Sequence, residues 1–281
     1  MNNFNDNNRI FDEKHYLDWN DKLGQNFDRQ SGIHQYGMMS KNIETDGSYQ
    51  AKVSGDYGEF TAKSVLNSLP NWYAVMDDIL LQTGIQYRPY EPEIYGESPW
   101  KLVKKKGRIY EEVHKSTQID HLVISPFGIF VIETKNHKGY VFGSVSSKVW
   151  TQVLNGENGK RAYGGHTHYT FLNPVTQNNE HIQHLSKQLK ISNNFMTGMI
   201  VFTNPDAFLG NVDCNCCYTL DMLYEAILSY NTQIFNSKQF NQIIHKVVNL
   251  DTNNYLTEKE HITYVKDIQQ RKEMFKLYHG L

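Results

Sequence analysis

The sequence predicts an α/β fold, a mixed sheet flanked by helices, and three observations carry that prediction. Two apolar runs, Ile119 to Ile124 and Ile129 to Ile132, flank Ser125-Pro126-Phe127-Gly128, a composition that suits a four-residue turn and so an antiparallel hairpin. Amphipathic helical patterns stand on either side of that hairpin, at Asp56 to Leu69 and from Asn173 onward, spaced for one buried face each. A further apolar run, Thr197 to Thr203, follows the second helix and adds a buried strand to the sheet. The order helix, strand, hairpin, strands, helix, strand is that of a sheet covered by helices.

Residues 1–50 form an N-terminal extension. Its first eight residues are Asn-rich and polar, a composition that predicts disorder. Tyr16, Leu17, Trp19, Leu23 and Phe27 then recur at helical spacing, and Ser31 to Gly47 reads as a connecting loop. The core spans 51–205. In its first helix Asp56 is the expected cap, with Phe60, Ser64 or Val65 and Leu69 facing inward and Pro70 as the stop. Trp72 to Leu81 reads as a strand, after which Pro89, Pro92, Gly96 and Pro99 break the chain into loops. The alternation in KLVKKKGRIYEEV predicts a protruding hairpin with Lys104, Lys105, Lys106 and Arg108 at its tip.

Tyr140 to Val145 and Lys148 to Leu154 read as two more strands, and Asn155 to Arg161 as a turn. His166 and His168 alternate on one side of an extended stretch, without a third metal ligand. Asn173 caps the second helix with Pro174 in its first turn, Ile182, Leu185 and Leu189 form its buried stripe, and Gln177, His181, His184 and Gln188 a polar flank. Residues 206–281 are expected to be mainly helical, covering the sheet or forming a homodimer contact.

The chain has 281 residues, 39% of them hydrophobic and 21% charged, an ordinary globular balance that can bury a sizeable core. No apolar run approaches the roughly 18–20 residues a membrane helix needs, and the N-terminus shows no secretory pattern, so the expected location is cytoplasmic. The formal net charge of −2 gives no global attraction to nucleic acid, so contact with it requires a local basic patch; the tip with Lys104, Lys105, Lys106 and Arg108, expected next to the carboxylates of the central hairpin, is the candidate, and a merely solvated tip the alternative. Cys214, Cys216 and Cys217 are too few and too close for a four-thiolate zinc site, and read as reduced thiols.

The chemistry concentrates on the central hairpin. If Ile124 and Ile129 close the turn, counting outward brings Asp120 opposite Glu133, and cross-strand Cβ atoms lie roughly 4.5–5.5 Å apart. The period of two puts Lys135 on the face of Glu133 and turns Thr134 away. Two carboxylates that close repel unless a cation lies between them, and hard oxygen ligands favour Mg2+ or Mn2+. Asp120 and Glu133 are the candidate ligands, with the Lys135 amine converging on them.

Asp120 followed by Glu133-Thr134-Lys135 resembles the D…(D/E)xK signature of the PD-(D/E)XK nuclease superfamily. Further residues agree in order with one branch of it: Gly58-Glu59, Gln118-Ile119-Asp120-His121, Gly128 to Asn136, Gly139, Gly143, Trp150, Asn173-Pro174, Gln177 and His181. Over residues 55 to 190 the chain resembles the nuclease-related domain (NERD) family. That resemblance implies a restriction-endonuclease-like architecture and a metal-dependent nuclease acting on DNA, in genome maintenance or antiviral defence. It also implies that a backbone oxygen of Thr134 adds to the metal ligands, that Lys135 orients or deprotonates the attacking water, and that Glu59, on the first helix, and Gln177, on the second, join the active site. A capping box formed by Asp56 and Glu59, and a solvent-facing flank for Gln177, are the non-catalytic alternatives. A nucleic-acid-binding module without turnover, and a purely structural ion-pair cluster, are the alternatives for the protein.

Overall fold

The computed structural model describes residues 47–154, 167–253 and 258–279. The predicted N-terminal disorder, helix and loop, the turn at 155–161 and His166 lie outside them. Helix α1 (Gly47–Leu66) leads into β1 (Ala74–Pro89), a one-turn helix α2 (Pro92–Tyr95), and strands β2 (Lys101–Lys105), β3 (Arg108–Ser125) and β4 (Gly128–Lys135). Strands β5 (Gly139–Ser144), β6 (Val149–Leu154) and β7 (Thr167–Leu172) precede α3 (Pro174–Leu189) and β8 (Met196–Phe202). The chain continues through β9 (Ala207–Asp213), β10 (Cys217–Thr219), α4 (Leu220–Leu228), α5 (Ser237–Asn253) and α6 (Glu258–His279).

Two sheets result. The main sheet has the order β1-β3-β4-β8-β10, with β2 paired to the outer part of β3. Its β1–β3 and β3–β4 pairs are antiparallel, while β4–β8 and β8–β10 are parallel, so the sheet is mixed as predicted. The smaller sheet has the order β7-β6-β5-β9. The fold is therefore a mixed α/β one with helices on both sides of the main sheet.

Strand β4 explains the layering. Ile129 and Val131 pack with Ile182, Leu185 and Leu189 of α3 and with Phe240, Ile243 and Ile244 of α5, while Phe130 and Ile132 pack with Leu66 of α1 and Leu223 and Ile227 of α4. Helices bury the strand on both faces, which is why its sequence is continuously apolar rather than alternating. Each fully buried side chain of this size stabilises the fold by about 1.5–3 kcal/mol.

Several elements differ from expectation. Helix α1 is already helical from Gly47, so Asp56 lies within it and is not its cap. Its inner stripe is Ala62, Leu66 and, just beyond, Leu69; Phe60 is 65% exposed. Strand β1 continues to Pro89, and β3 is one strand of 18 residues joining both predicted hairpins, because the two strands pair with each other from Ala74↔Ile124 to Pro89↔Tyr110. Strands β9 and β10 lie past residue 205, yet pair with β5 and β8. The predicted basic hairpin is present: Lys105 pairs with Arg108, and Lys106 and Gly107, both at positive φ, make the tight turn.

The α3 cap matches its prediction. Asn173 Oδ1 accepts from the Val175 amide at 2.9 Å, and its Nδ2 donates to the carbonyls of Ser144, Val145 and Ser147, tying the helix start to the smaller sheet. No helix of the described residues is long and apolar enough to cross a membrane.

Candidate active site

The β3–β4 hairpin turns at Pro126-Phe127, with Ser125 paired to Gly128, Ile124 to Ile129, and the ladder running to His121↔Ile132. One step further in that register stand Asp120 and Glu133. There the Thr134 amide and hydroxyl donate to Asp120 Oδ2 at 2.7 and 2.9 Å. The Thr134 side chain, which strand alternation turns away from Glu133 and Lys135, puts its hydroxyl on the Asp120 carboxylate and helps to fix it.

Glu133 is 1% exposed. Lys135 Nζ donates to its Oε1 and stands 3.3 Å from Gln177 Oε1, so the α3 glutamine closes over the strand pair. One turn further along α3, His181 Nδ1 lies 3.7 Å from Glu133 Oε2. Burial, ahead of any charge, lowers the His181 pKa to about 4, so the imidazole is neutral at neutral pH and the contact is no ion pair. Both of those atoms are buried without a hydrogen-bond partner.

Helix α1 reaches the site through Gly58. A Cβ there would stand 2.6 Å from Thr203 Oγ1 and 2.8 Å from Asn136 Cβ. Asn136, next after Lys135, donates to the Ser54 carbonyl at 2.6 Å, locking helix to strand end. This seats Glu59 among acids. Its pKa is pushed up to about 8 by burial first, then by Asp120, Asp78, Asp56 and Glu133. Glu133 is likewise raised to about 8, by burial and then Asp120, against the pull of Lys135 and Gln177. Asp120 is the leading charged neighbour of both.

Such a site suits a hard divalent cation. Its donors are oxygens, Glu133 Oε2 has no partner, and both Glu59 and Glu133 are held protonated by surroundings that a cation would reverse. Among the described residues, the group in which three His, Cys, Asp or Glu ligand atoms lie within 4.8 Å of one another is Cys214, Cys216 and Cys217. The carboxylate site therefore offers few side-chain ligands at once.

A second set of residues stands beside these. His121 Nδ1 is 2.6 Å from Asp77 Oδ1, and Lys63 pairs with Asp77 Oδ2 at 2.8 Å; those partners lower the Asp77 pKa although burial raises it. Asp78 adopts φ 56° and accepts from Gln118 at 2.7 Å. Adjacent aspartates in a strand carried no spacing signal of their own, and only the β1–β3 register brings them to Asp120.

The remaining expected residues lie apart. Lys104, Lys105, Lys106 and Arg108 are exposed at the β2–β3 tip. Arg108 and Asp120 are separated by twelve residues of β3, up to about 40 Å of strand, so the tip is not beside the carboxylates. His168 is exposed on β7. Cys214 and Cys216 are joined as a disulfide, where reduced thiols were expected, because the chain turns between them.

A family model described as the nuclease-related domain matches residues 54–203. The chain belongs to the nuclease-related domain family. The NERD match starts inside α1, just ahead of Gly58 and Glu59, and ends after β8, so it takes in the hairpin, Asn136, Gln177 and His181. An uncharacterized protein of Bacillus anthracis is 29% identical over 206 residues, 66% of this chain and 91% of that protein. No solved structure matches the chain.

Proposed function

We propose that this NERD protein is a divalent-metal-dependent nuclease that hydrolyses phosphodiester bonds in DNA, in genome maintenance or defence against foreign DNA. The observation that carries the reading is the buried Glu133 carboxylate, with Oε2 unpartnered and raised pKa, beside Asp120 and in contact with Lys135. A buried oxygen without a partner is costly, and a divalent cation beside Glu133 would give Oε2 one.

Glu133 and Asp120 would hold Mg2+ or Mn2+, with a backbone oxygen of Thr134 and with Glu59 as an outer ligand. Bound there, the ion would supply Lewis-acid stabilisation of phosphoryl oxygens and a more acidic water. Thr134 keeps Asp120 aimed by two hydrogen bonds. Gln177 holds the Lys135 ammonium, which orients the attacking water and offsets charge building on the phosphoryl oxygens. The basic tip of Lys104, Lys105, Lys106 and Arg108 would take phosphates away from the scissile bond.

The experiment is cleavage of plasmid and linear DNA by purified protein with Mg2+, Mn2+ or EDTA, beside Asp120→Ala. Products are expected with metal alone and only from the unaltered chain. Cleavage that persists in both EDTA and the variant, or that never occurs while DNA is bound without metal, sinks the catalytic reading.

A further inference from the structure

Three sulfurs meet at the turn between β9 and β10. The Sγ atoms of Cys214, Cys216 and Cys217 lie within 4.8 Å of one another. A regular strand would not gather them, because successive side chains point to opposite faces. Here the chain turns at Asn215 and Cys216 before β10 begins at Cys217, and the Cys216 amide donates to Cys214 Sγ at 3.2 Å. Such a bond strengthens when the sulfur carries negative charge.

The turn is firmly seated. The Ile200 amide donates to the Cys216 carbonyl at 2.8 Å, Cys217 pairs with Ile200 of β8, and all three cysteines pack against the cluster of Trp150, Ile200 and Phe202. Cys214 and Cys216 form a disulfide and Cys217 is a free thiol. A reducing dithiol or phosphine, itself oxidised by two electrons, converts the disulfide with two protons into two thiols. Three thiols then share one spot.

We propose that the reduced Cys214-Asn215-Cys216-Cys217 turn binds one thiophilic metal ion, Cu(I), through three thiolates. Soft sulfur ligands select Cu(I) or Zn2+ over hard cations. Structural zinc takes four ligands, and among the described residues this group supplies three. Metal–sulfur bonds of about 2.3 Å set the sulfurs of a planar three-thiolate site about 4 Å apart, so reduction must part the bonded Cys214 and Cys216 sulfurs within a turn whose three Sγ atoms lie inside 4.8 Å of one another. The site is independent of the carboxylate centre and of the nuclease reading.

The test uses the full chain, reduced with a phosphine and freed of it without oxygen, then titrated with Cu(I) against bathocuproine disulfonate. One Cu(I) per chain is expected to be retained, with only sulfur neighbours by X-ray absorption. Cys217→Ser and Cys214→Ser should each weaken binding by at least about tenfold, with unchanged circular dichroism, and the disulfide form should not compete with the chelator. Failure of the reduced chain to retain Cu(I), equal affinity in Cys217→Ser, or tighter retention of Zn2+ than of Cu(I) would each overturn the three-thiolate assignment.

Discussion

Glu133 Oε2 and His181 Nδ1 face each other across 3.7 Å, and neither atom has a hydrogen-bond partner. An unsatisfied buried polar atom costs about 1–3 kcal/mol, so this pair is a burden to the fold that a third group between or beside them would relieve. His181→Leu removes one of the two at similar volume. In EDTA the variant is expected to melt at or above the temperature of the unaltered chain, while Mn2+ binding and cleavage fall about 10–100-fold. A variant that is less stable but equally active would make His181 a packing residue.

The raised Glu133 pKa predicts how stability depends on pH. Its folded value is about 8 against an ordinary 4.5, so between those values the folded state binds more protons than the unfolded one, and stability falls as pH rises. Glu59 acts in the same direction. Metal-free protein should therefore melt lower at about pH 8 than at about pH 5, and Glu133→Gln should flatten that slope without abolishing it. Mg2+ should raise the melting temperature more at the higher pH, where no proton must be displaced. Equal slopes for both chains in EDTA would show that Glu133 ionises normally.

Gly58 separates local propensity from packing. Glycine to alanine inside a helix ordinarily stabilises by about 1 kcal/mol, but here the new methyl stands 2.6 Å from Thr203 Oγ1 and 2.8 Å from Asn136 Cβ. Gly58→Ala is expected to destabilise by about 1–3 kcal/mol and, by shifting Glu59, to cut cleavage more than 10-fold. Thermal melts and initial rates check both, and a stabilised, fully active variant would mean that α1 moves freely.

The hairpin was legible because its two apolar runs, its turn residues and the count from Ile124↔Ile129 to Asp120 and Glu133 are all local. The α3 start was legible for the same reason, through Asn173-Pro174. What the sequence hid depends on distant pairing. Strand β1 reads as ending at Leu81 because Gln82-Thr83-Gly84 interrupts the apolar run, yet β3 pairs with it to its last residue. Asp77 and His121 meet only across that register. The capping-box alternative for Glu59 failed because α1 already runs helically ahead of Asp56, where Asp56 and Glu59 gave the same local pattern as a helix start.

The long β1–β3 ribbon is clamped by α6. Arg271 donates to both oxygens of the fully buried Glu111 at 2.9 and 2.7 Å and to Asp267 at 3.0 Å, and Arg88 bridges the same two acids. Arg271→Met leaves a buried acid with one cation, at a cost on the order of 3 kcal/mol. The melting temperature should drop while cleavage of a short oligonucleotide, per folded molecule, is unchanged. Loss of cleavage at full stability would place α6 at the substrate.

The basic tip makes a prediction about substrate length. Up to about 40 Å of strand separates Arg108 from Asp120, comparable with one turn of duplex at about 34 Å, so a single duplex can touch both places only if it exceeds roughly one turn. Lys105 also lies over the Tyr87 ring, which steadies its ammonium at the tip. Replacing Lys104, Lys105, Lys106 and Arg108 together by alanine should weaken binding of a duplex of about 30 base pairs and flatten its salt dependence by about 0.9 in slope per lost phosphate contact. Binding and cleavage of an oligonucleotide of about 8 nucleotides should not change, because it cannot span the ribbon. An equal loss for both lengths would mean that the tip folds back towards Asp120, and no loss for either would remove it from the nucleic-acid path.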